Sequence, residues 1–316
     1  SAADQLNLLS SDQVQALSSS QVRALTTAQV AGMVEGQIEY LSSAQVQALT
    51  TAQFNALGEA AVQAMGTADV QALTSTQIGS MGTSDVNELS TDQVQALTTA
   101  QIRALTSSQL NGMADATVQA LTSLQIQALT STQLQGISSA QLNTIGSAQV
   151  QALSSTQIKA LTTAQISAIS SAQLEAMTSA QVQVLSSDQL NVLIPSSLQA
   201  IETTDLQAIG SSQIAALSSA QLNNLSTDQV QGLTSTQLKS LTTVQMQRIS
   251  SVQMEAMSAA QVQALTSTQL NALNSTALQA IETADVQEMT TAQLSTLSSD
   301  QINRLTTDQV QALTTA

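Results

Sequence analysis

The chain has no cysteine, no histidine and no tryptophan, and its 316 residues hold one proline (Pro195), one tyrosine (Tyr40) and one phenylalanine (Phe54). Without cysteine there is no disulfide scaffold and no thiolate metal site, and the redox compartment is left open. Without histidine or cysteine the commonest general base and the thiol nucleophile are both missing. Cations are scarce too. Arg23, Arg103, Lys159, Lys239, Arg248 and Arg304 are the only six, against 21 acids, for a net charge of −15. They lie too far apart in sequence to form the basic patch that a nucleic-acid surface needs. The acids are thinly scattered, so the charge implies solubility and mutual repulsion of molecules rather than a partner. No apolar run approaches the roughly 18 residues of a membrane span. No initiator methionine and no signal-like segment are present, which suggests a piece of a longer protein. The few Lys and Arg also leave few sites for trypsin-like proteases, which suits exposure outside a cell.

What is present is one sentence written many times. Leu305-Thr306-Thr307-Asp308-Gln309-Val310-Gln311-Ala312 states it: a large aliphatic, two hydroxyls, a small or acidic residue, Gln, an aliphatic, a polar residue, a small residue. Position one recurs at every eighth residue from Leu9 to Leu313 and is always Leu, Met or Ile, with no insertion or deletion.

The spacing of these residues carries a mechanism. Thr306 followed three residues later by Gln309 has the spacing of a capping box, and Leu305 with Val310 has that of a hydrophobic staple. Of the 39 residues at position five, 31 are Gln. Asp69, Asp85, Asp205 and Asp285 put an acid there, which also suits a helix N-terminus. One continuous helix is excluded. Eight residues turn 800° on an α-helix, so the aliphatic stripe would drift about 80° per repeat and face no single partner. The sequence therefore predicts an all-α solenoid of short helices, re-capped once per octad. A β-solenoid is the alternative, since Val and Ile are common at position six and Ser and Thr suit strands. Against it, Val310, Ala312 and Leu313 break period-two alternation. Pro195 falls at the first helical position, where proline is favoured. Disorder, the compositional alternative for a Ser/Thr/Gln/Ala tract, does not explain aliphatics kept in register. The expected core is positions one and six, with the small residue at eight fitting a tight corner or a close contact between coils. One octad buries too little to order itself, so neighbouring coils must stack. The number of octads per coil does not follow from the sequence.

The expected organisation is one continuous solenoid over 1–316, built from 80-residue blocks at 33–112, 113–192, 193–272 and, in part, 273–316. Each block opens on an octad whose position two is spoiled: Val34, Ala114, Ile194 and Asn274. Asn111, Asn191 and Asn271 repeat at the same distance, as do Arg23 and Arg103. Duplication explains this period. A structural reading, with ten octads making five coils of two or two coils of five, is the sharper one. Neither end carries an obvious polar capping repeat, so either the natural protein continues or the ends meet other copies.

No chemistry stands out. No catalytic, cofactor-binding or metal-ligating residue is expected, and neither an enzyme activity nor a small-molecule substrate. The best carboxylate pairs, Glu202/Asp205 and Glu282/Asp285, have the spacing to share a hard cation, but acids at a helix start ordinarily compensate its dipole. Tyr40 and Phe54 read as isolated substitutions. The run Leu97–Ala104, Leu-Thr-Thr-Ala-Gln-Ile-Arg-Ala, resembles octapeptide tracts of very large repetitive bacterial secreted and cell-surface proteins. The resemblance covers the whole chain. It implies an extracellular or cell-surface structural role (a rod, spacer or biofilm-matrix fibre) with end-to-end or lateral self-association, and it carries over no site residues. The alternative is a binding module presenting an outward Ser/Thr ladder to ice, a glycan or a partner fibre.

Overall fold

The computed structural model describes residue 6 and residues 8–313. Among them the secondary structure is helical throughout, with 38 short helices of four to seven residues and no strand. The β-solenoid alternative is therefore excluded. Its one attraction, β-branched residues at position six, is met by helix: Val70, Ile102 and Val230 each lie on one and are buried to 2% exposure or less.

Each helix begins where the capping residues place it. In the helix Thr99–Ala104 the Thr98 hydroxyl accepts from the Gln101 amide N–H at 3.3 Å. The Thr98 amide donates to Gln101 Oε1 at 2.7 Å. Both donors orphaned at the helix start are thus met by one pair of side chains. Where glycine replaces the hydroxyl, at Gly82, Gly146 and Gly210, only the second half of the box remains. Pro195 sits at the first position of the helix Pro195–Gln199, where its missing N–H has no partner to lose.

The corner between helices is made by positions one and two, both extended: Leu97 has φ −55° and ψ 130°, and Thr98 φ −71° and ψ 158°. No left-handed residue is needed. Among the described residues the single positive φ belongs to Gly58, at 78°. That octad also lacks Gln, carrying Ala61 instead, so its chain enters the helix Glu59–Ala64 by a route that only glycine adopts readily. Position eight is small for a different reason. A Cβ on Gly112 would lie 2.1 Å from Thr83 Cγ2, and one on Gly136 would lie 2.3 Å from Ser107 Oγ. The small residue is there for close approach between coils, not for the corner.

Three octads make one coil. Helices that stack start 24 residues apart: Ser75–Ser80 on Thr99–Ala104, Thr67–Ala72 under Thr91–Ala96. The same step joins Ser179–Gln183 to Thr203–Ala208 and Ser211–Ala215 to Ser235–Ser240. Ten octads are consequently three coils and one octad over. The 80-residue block is not a whole number of coils, and neither five coils of two nor two coils of five describes it.

The coils pack into two compact units, Ser1–Leu161 and Thr162–Ala316. In both, positions one and six form the core, as with Leu97 and Ile102 in the first and Leu233 and Leu238 in the second. Phe54 at position six is 2% exposed and replaces an aliphatic there. Position five is also interior: Gln77, Gln101, Gln237 and Gln245 are each 2% exposed.

Candidate functional site

The chemistry of the molecule is concentrated between coils. Gln101 shows why position five is buried. Its Oε1 caps its own helix, while its Nε2 donates to Val70 O at 2.7 Å and Leu73 O at 2.8 Å, 31 and 28 residues earlier. Those carbonyls close the helix Thr67–Ala72 in the preceding coil. In the second unit Gln237 does the same to Leu206 O at 2.8 Å and Ile209 O at 2.9 Å. One side chain thus completes the start of one helix and the end of the helix below it. A helix end carries four carbonyls without intrahelical partners, and burying them unmet is costly.

Position seven works in the other direction. Asn55 Nδ2 donates to Ser80 O at 2.9 Å, and Asn223 Nδ2 to Arg248 O at 2.7 Å, each 25 residues later. Gln207 and Gln279 reach Gly232 O and Arg304 O, both at 2.9 Å. Arg23 and Arg103 take the same role, their Nε atoms donating to Ala48 O and Ala128 O at 3.3 Å. Two of the six cations are therefore position-seven donors. A third, Arg304, just beyond the helix Ser299–Ile302, pairs with Asp300 of that helix at 2.6 Å.

Departures from the octad change these bonds in definable ways. An Asp at position five has no N–H to give the carbonyls, and at two of the four such positions it instead accepts a hydroxyl 26 residues earlier. Ser43 Oγ donates to Asp69 at 2.7 Å, and Ser179 Oγ donates to Asp205. Asp285 has Ala259 at the corresponding place and receives no such bond. It is 8% exposed, and burial, with the Glu282 carboxylate beside it, raises its pKa above the ordinary 3.8.

Four asparagines at position seven do more than glutamine. Asn87, Asn111, Asn191 and Asn271 donate to a carbonyl 25 residues on, and their Oδ1 atoms accept the N-cap amides of Ala114, Ser138, Ser218 and Ser298 at 2.6 to 2.8 Å. The amide so taken is the one a capping-box Gln would bind. Gln301 Oε1 is accordingly buried with no partner. Of the helices that follow these serine caps, Ser139–Leu142 and Ser299–Ile302 have four residues, while Ser219–Asn223 keeps five. At three of the four block-opening octads position five is Thr117, Ser197 or Ala277, while the first keeps Gln37. Ser197 Oγ there donates to Ile169 O at 2.9 Å, and Asn274 Nδ2 to Ile249 O at 3.1 Å.

Each coil has two unlike faces. Near the first coil, Val14, Val22 and Val30 are fully buried while Gln13 and Gln21 are exposed. Near the last, Gln301 and Gln309 are buried while Ile302 and Val310 are 48% and 42% exposed. Position five is thus covered by the preceding coil and position six by the following one.

The carboxylate pairs do not converge into a site. Asp205 is used by Ser179, and Glu202 and Glu282 are the N-caps of Thr203–Ala208 and Thr283–Gln287. No cluster of three or more Asp or Glu able to hold a metal ion occurs among the described residues. Tyr40 is 48% exposed and Phe54 is core. An apolar cavity in the first unit, bounded by Leu110, Val118, Leu134 and Leu142, measures about 20 Å³. That is far below the roughly 300 Å³ of a ligand pocket. No helix among the described residues is long and apolar enough to cross a membrane.

Sequence reasoning found the box and missed the interlayer bonds. The signal was available: none of the 39 position-five residues is Glu. A capping box accepts Glu as readily as Gln. A box alone does not select the amide; a site that must donate to carbonyls does. No curated protein matches the chain. A family model does, described as the ALTTAQ repeat, over residues 3–35, 62–99, 126–163, 163–194, 198–235 and 278–315. The matched segments hold the same hydroxyl pair, small residue and Gln that cap each helix and bridge to the coil beneath, and they span more than half of the sequence: the chain belongs to the ALTTAQ repeat family.

Proposed function

We propose that this chain is a non-enzymatic structural protein, a stiff stack of coils serving as a rod or spacer at a bacterial surface or in extracellular matrix. The observation that carries the proposal is the use of the polar side chains. Positions two, five and seven, where a binding or catalytic protein would keep free groups, are spent on helix caps and on bonds between coils, as in Thr98, Gln101 and Arg103. Such bonds resist shear between layers and leave nothing unique along the array. The placement outside the cell rests on the likeness to octapeptide tracts of secreted and surface proteins and on the scarcity of Lys and Arg.

Scattering from a dilute solution tests the rod. At 24 residues per coil, a chain of 316 residues would make about 13 coils. At a helix-packing spacing of roughly 8–10 Å, a single stack would be on the order of 120 Å long with a radius of gyration near ~35 Å. A compact globule of this length has a radius of gyration of about 20 Å. A value near the lower figure ends the proposal. The alternative, a hydroxyl ladder for ice or a glycan, is disfavoured at position four but keeps a row at position three, where Thr83, Ser107, Ser131 and Ser155 follow one another. Ala100, Leu124 and Ala148 follow one another at position four of one column, and Leu124 is 70% exposed.

A further inference from the structure

The interfaces between coils are not all tied alike, and one inside the first unit has lost most of its glutamines. Below it the ties are complete: Gln45 meets Val14 O and Leu17 O at 2.8 and 2.7 Å, and Gln53 meets Val22 O and Leu25 O at 3.1 and 2.6 Å. Above it Gln93, Gln101 and Gln109 reach Val62 O, Val70 O and Ile78 O. Between these layers the octads opening at Leu57, Met65, Leu73 and Met81 carry Ala61, Asp69, Gln77 and Asp85 at position five. Of the four only Gln77 has an N–H to give, and it donates to Val46 O at 2.9 Å and Leu49 O at 3.0 Å. Three further glutamines would meet the carbonyls of Met33, Leu41 and Leu57. Among the described residues, no side chain of the coil above donates to these three.

The same three octads also lose their hydroxyl caps, to Gly58, Gly66 and Gly82. Gly58 takes φ 78°. The first bond of its helix, from the Val62 amide to Gly58 O, is 3.4 Å long, where that of Thr99–Ala104 is 2.9 Å. At position seven below the interface, Ala31 and Glu39 have no N–H to give, while Asn55 reaches Ser80 O at 2.9 Å. The apolar layer is closed all the same: Phe54, Val62 and Met65 are buried. We infer that this interface is a yielding seam, where the coil opening at Leu57 parts from the one beneath it and recloses while the interfaces on either side stay shut. Apolar burial is non-directional and tolerates tilt and sliding, whereas hydrogen bonds weaken steeply once misaligned. Local opening takes the least-tied unit first. The inference deepens the rod reading, from which it takes its purpose: a load along the stack would be released at one named layer. In the second unit Ser197 and Asp205 also interrupt the glutamines, but Ser197 Oγ still reaches Ile169 O at 2.9 Å and Ser179 still donates to Asp205.

Hydrogen–deuterium exchange of the full chain tests this. Peptides covering 37–42 and 54–65 should exchange roughly tenfold or more faster than those covering 94–105, whose carbonyls Gln125 and Gln133 meet. The variant Gly66→Thr, Asp69→Gln, Gly82→Thr, Asp85→Gln rebuilds two of the octads. Gly66 and Gly82 have φ −67° and −64° with ψ 156° and 155°, close to the −71° and 158° of Thr98, so a hydroxyl residue fits both places. Exchange over 37–42 and 54–58 should then slow about tenfold, with 94–105 unchanged. Equal rates in the unsubstituted protein overturn the inference, whatever the variant does. So does slowing confined to the rebuilt helix starts at 67–70 and 83–86, since the caps and not the ties between coils would then set the rate. The two readings fail separately. A compact radius of gyration ends the rod and leaves the seam standing, and uniform exchange in an extended chain ends the seam alone.

Discussion

Replacing Gln109 by Leu, with Gln21→Leu as its reference, isolates the bond between coils. Both glutamines complete a capping box, to Thr106 at 2.7 Å and to Ser18 at 2.8 Å. Gln109 alone reaches the preceding coil, donating to Ile78 O at 2.8 Å and Met81 O at 3.0 Å, and it is 3% exposed. Leucine keeps the volume and removes the polar atoms. At Gln21 the loss is the box, about 1 kcal/mol, with water able to reach the freed amide. At Gln109 the Thr106 amide and the Met81 carbonyl are left buried and unmet at ~1–2 kcal/mol each. The Ile78 carbonyl, which also accepts the Met81 amide at 3.3 Å, loses about half a kcal/mol more. The sum is roughly 3–4 kcal/mol, and the excess over the reference is ~2–3. A repeat array does not unfold in one step. The readout is therefore local, by hydrogen–deuterium exchange of peptides covering 74–82 and 106–113. The excess corresponds to exchange about 30- to 150-fold faster in both segments. Equal effects of the two substitutions would falsify the claim that glutamine joins the coils, as would acceleration confined to 106–113.

Three further outcomes follow from the departures. Ala259→Ser supplies the hydroxyl that Asp285 lacks and that Ser179 gives Asp205, so the Asp285 carboxyl should titrate lower by NMR and stability at neutral pH should rise by about 1 kcal/mol. In the unchanged protein the Asp285 pKa is raised by burial and by Glu282, so the folded state binds this proton more tightly than the unfolded one. Its contribution should grow as pH falls through the raised value and level off below the unfolded value of about 3.9, and Asp285→Asn should remove that part of the pH dependence in denaturant titrations. Asn271→Gln should return the Ser298 amide to Gln301 Oε1 while keeping a donor for Thr296 O; a crystal structure of the variant should place Gln301 Oε1 within hydrogen-bond distance of the Ser298 amide, and an Oε1 still without a partner would show that the asparagine does not cause the orphaned oxygen.

The helices were legible because their starts are local. Thr98 and Gln101 lie three residues apart, and the box they form is a property of that short stretch. Pro195 at the first helical position was legible for the same reason. The number of octads per coil was not. It depends on how far the extended pair at Leu97 and Thr98 turns the chain, and the same residue types permit several turn angles. The burial of position five hid behind its visible role, since one Gln oxygen explained the residue and the nitrogen was left out. The absence of Glu at that position was the missed clue. Position seven gave no comparable sign, because Gln15, Asn55 and Arg103 share nothing but a donor.

The backward reach of the position-five glutamine bears on how such a chain comes to be folded at all. Its acceptors are always 28 to 31 residues behind it, as with Gln53 on Val22 and Leu25 or Gln293 on Val262 and Leu265. The sequence separation of the stabilising contacts is therefore fixed by the coil and does not grow with the protein. Chains dominated by long-range pairings fold slowly, and large ones expose unfinished surfaces for long periods. Here a newly made octad finds its partner in the coil completed just before it. Growth can follow the direction of synthesis, one octad at a time, with the same search length at the thirtieth octad as at the fifth.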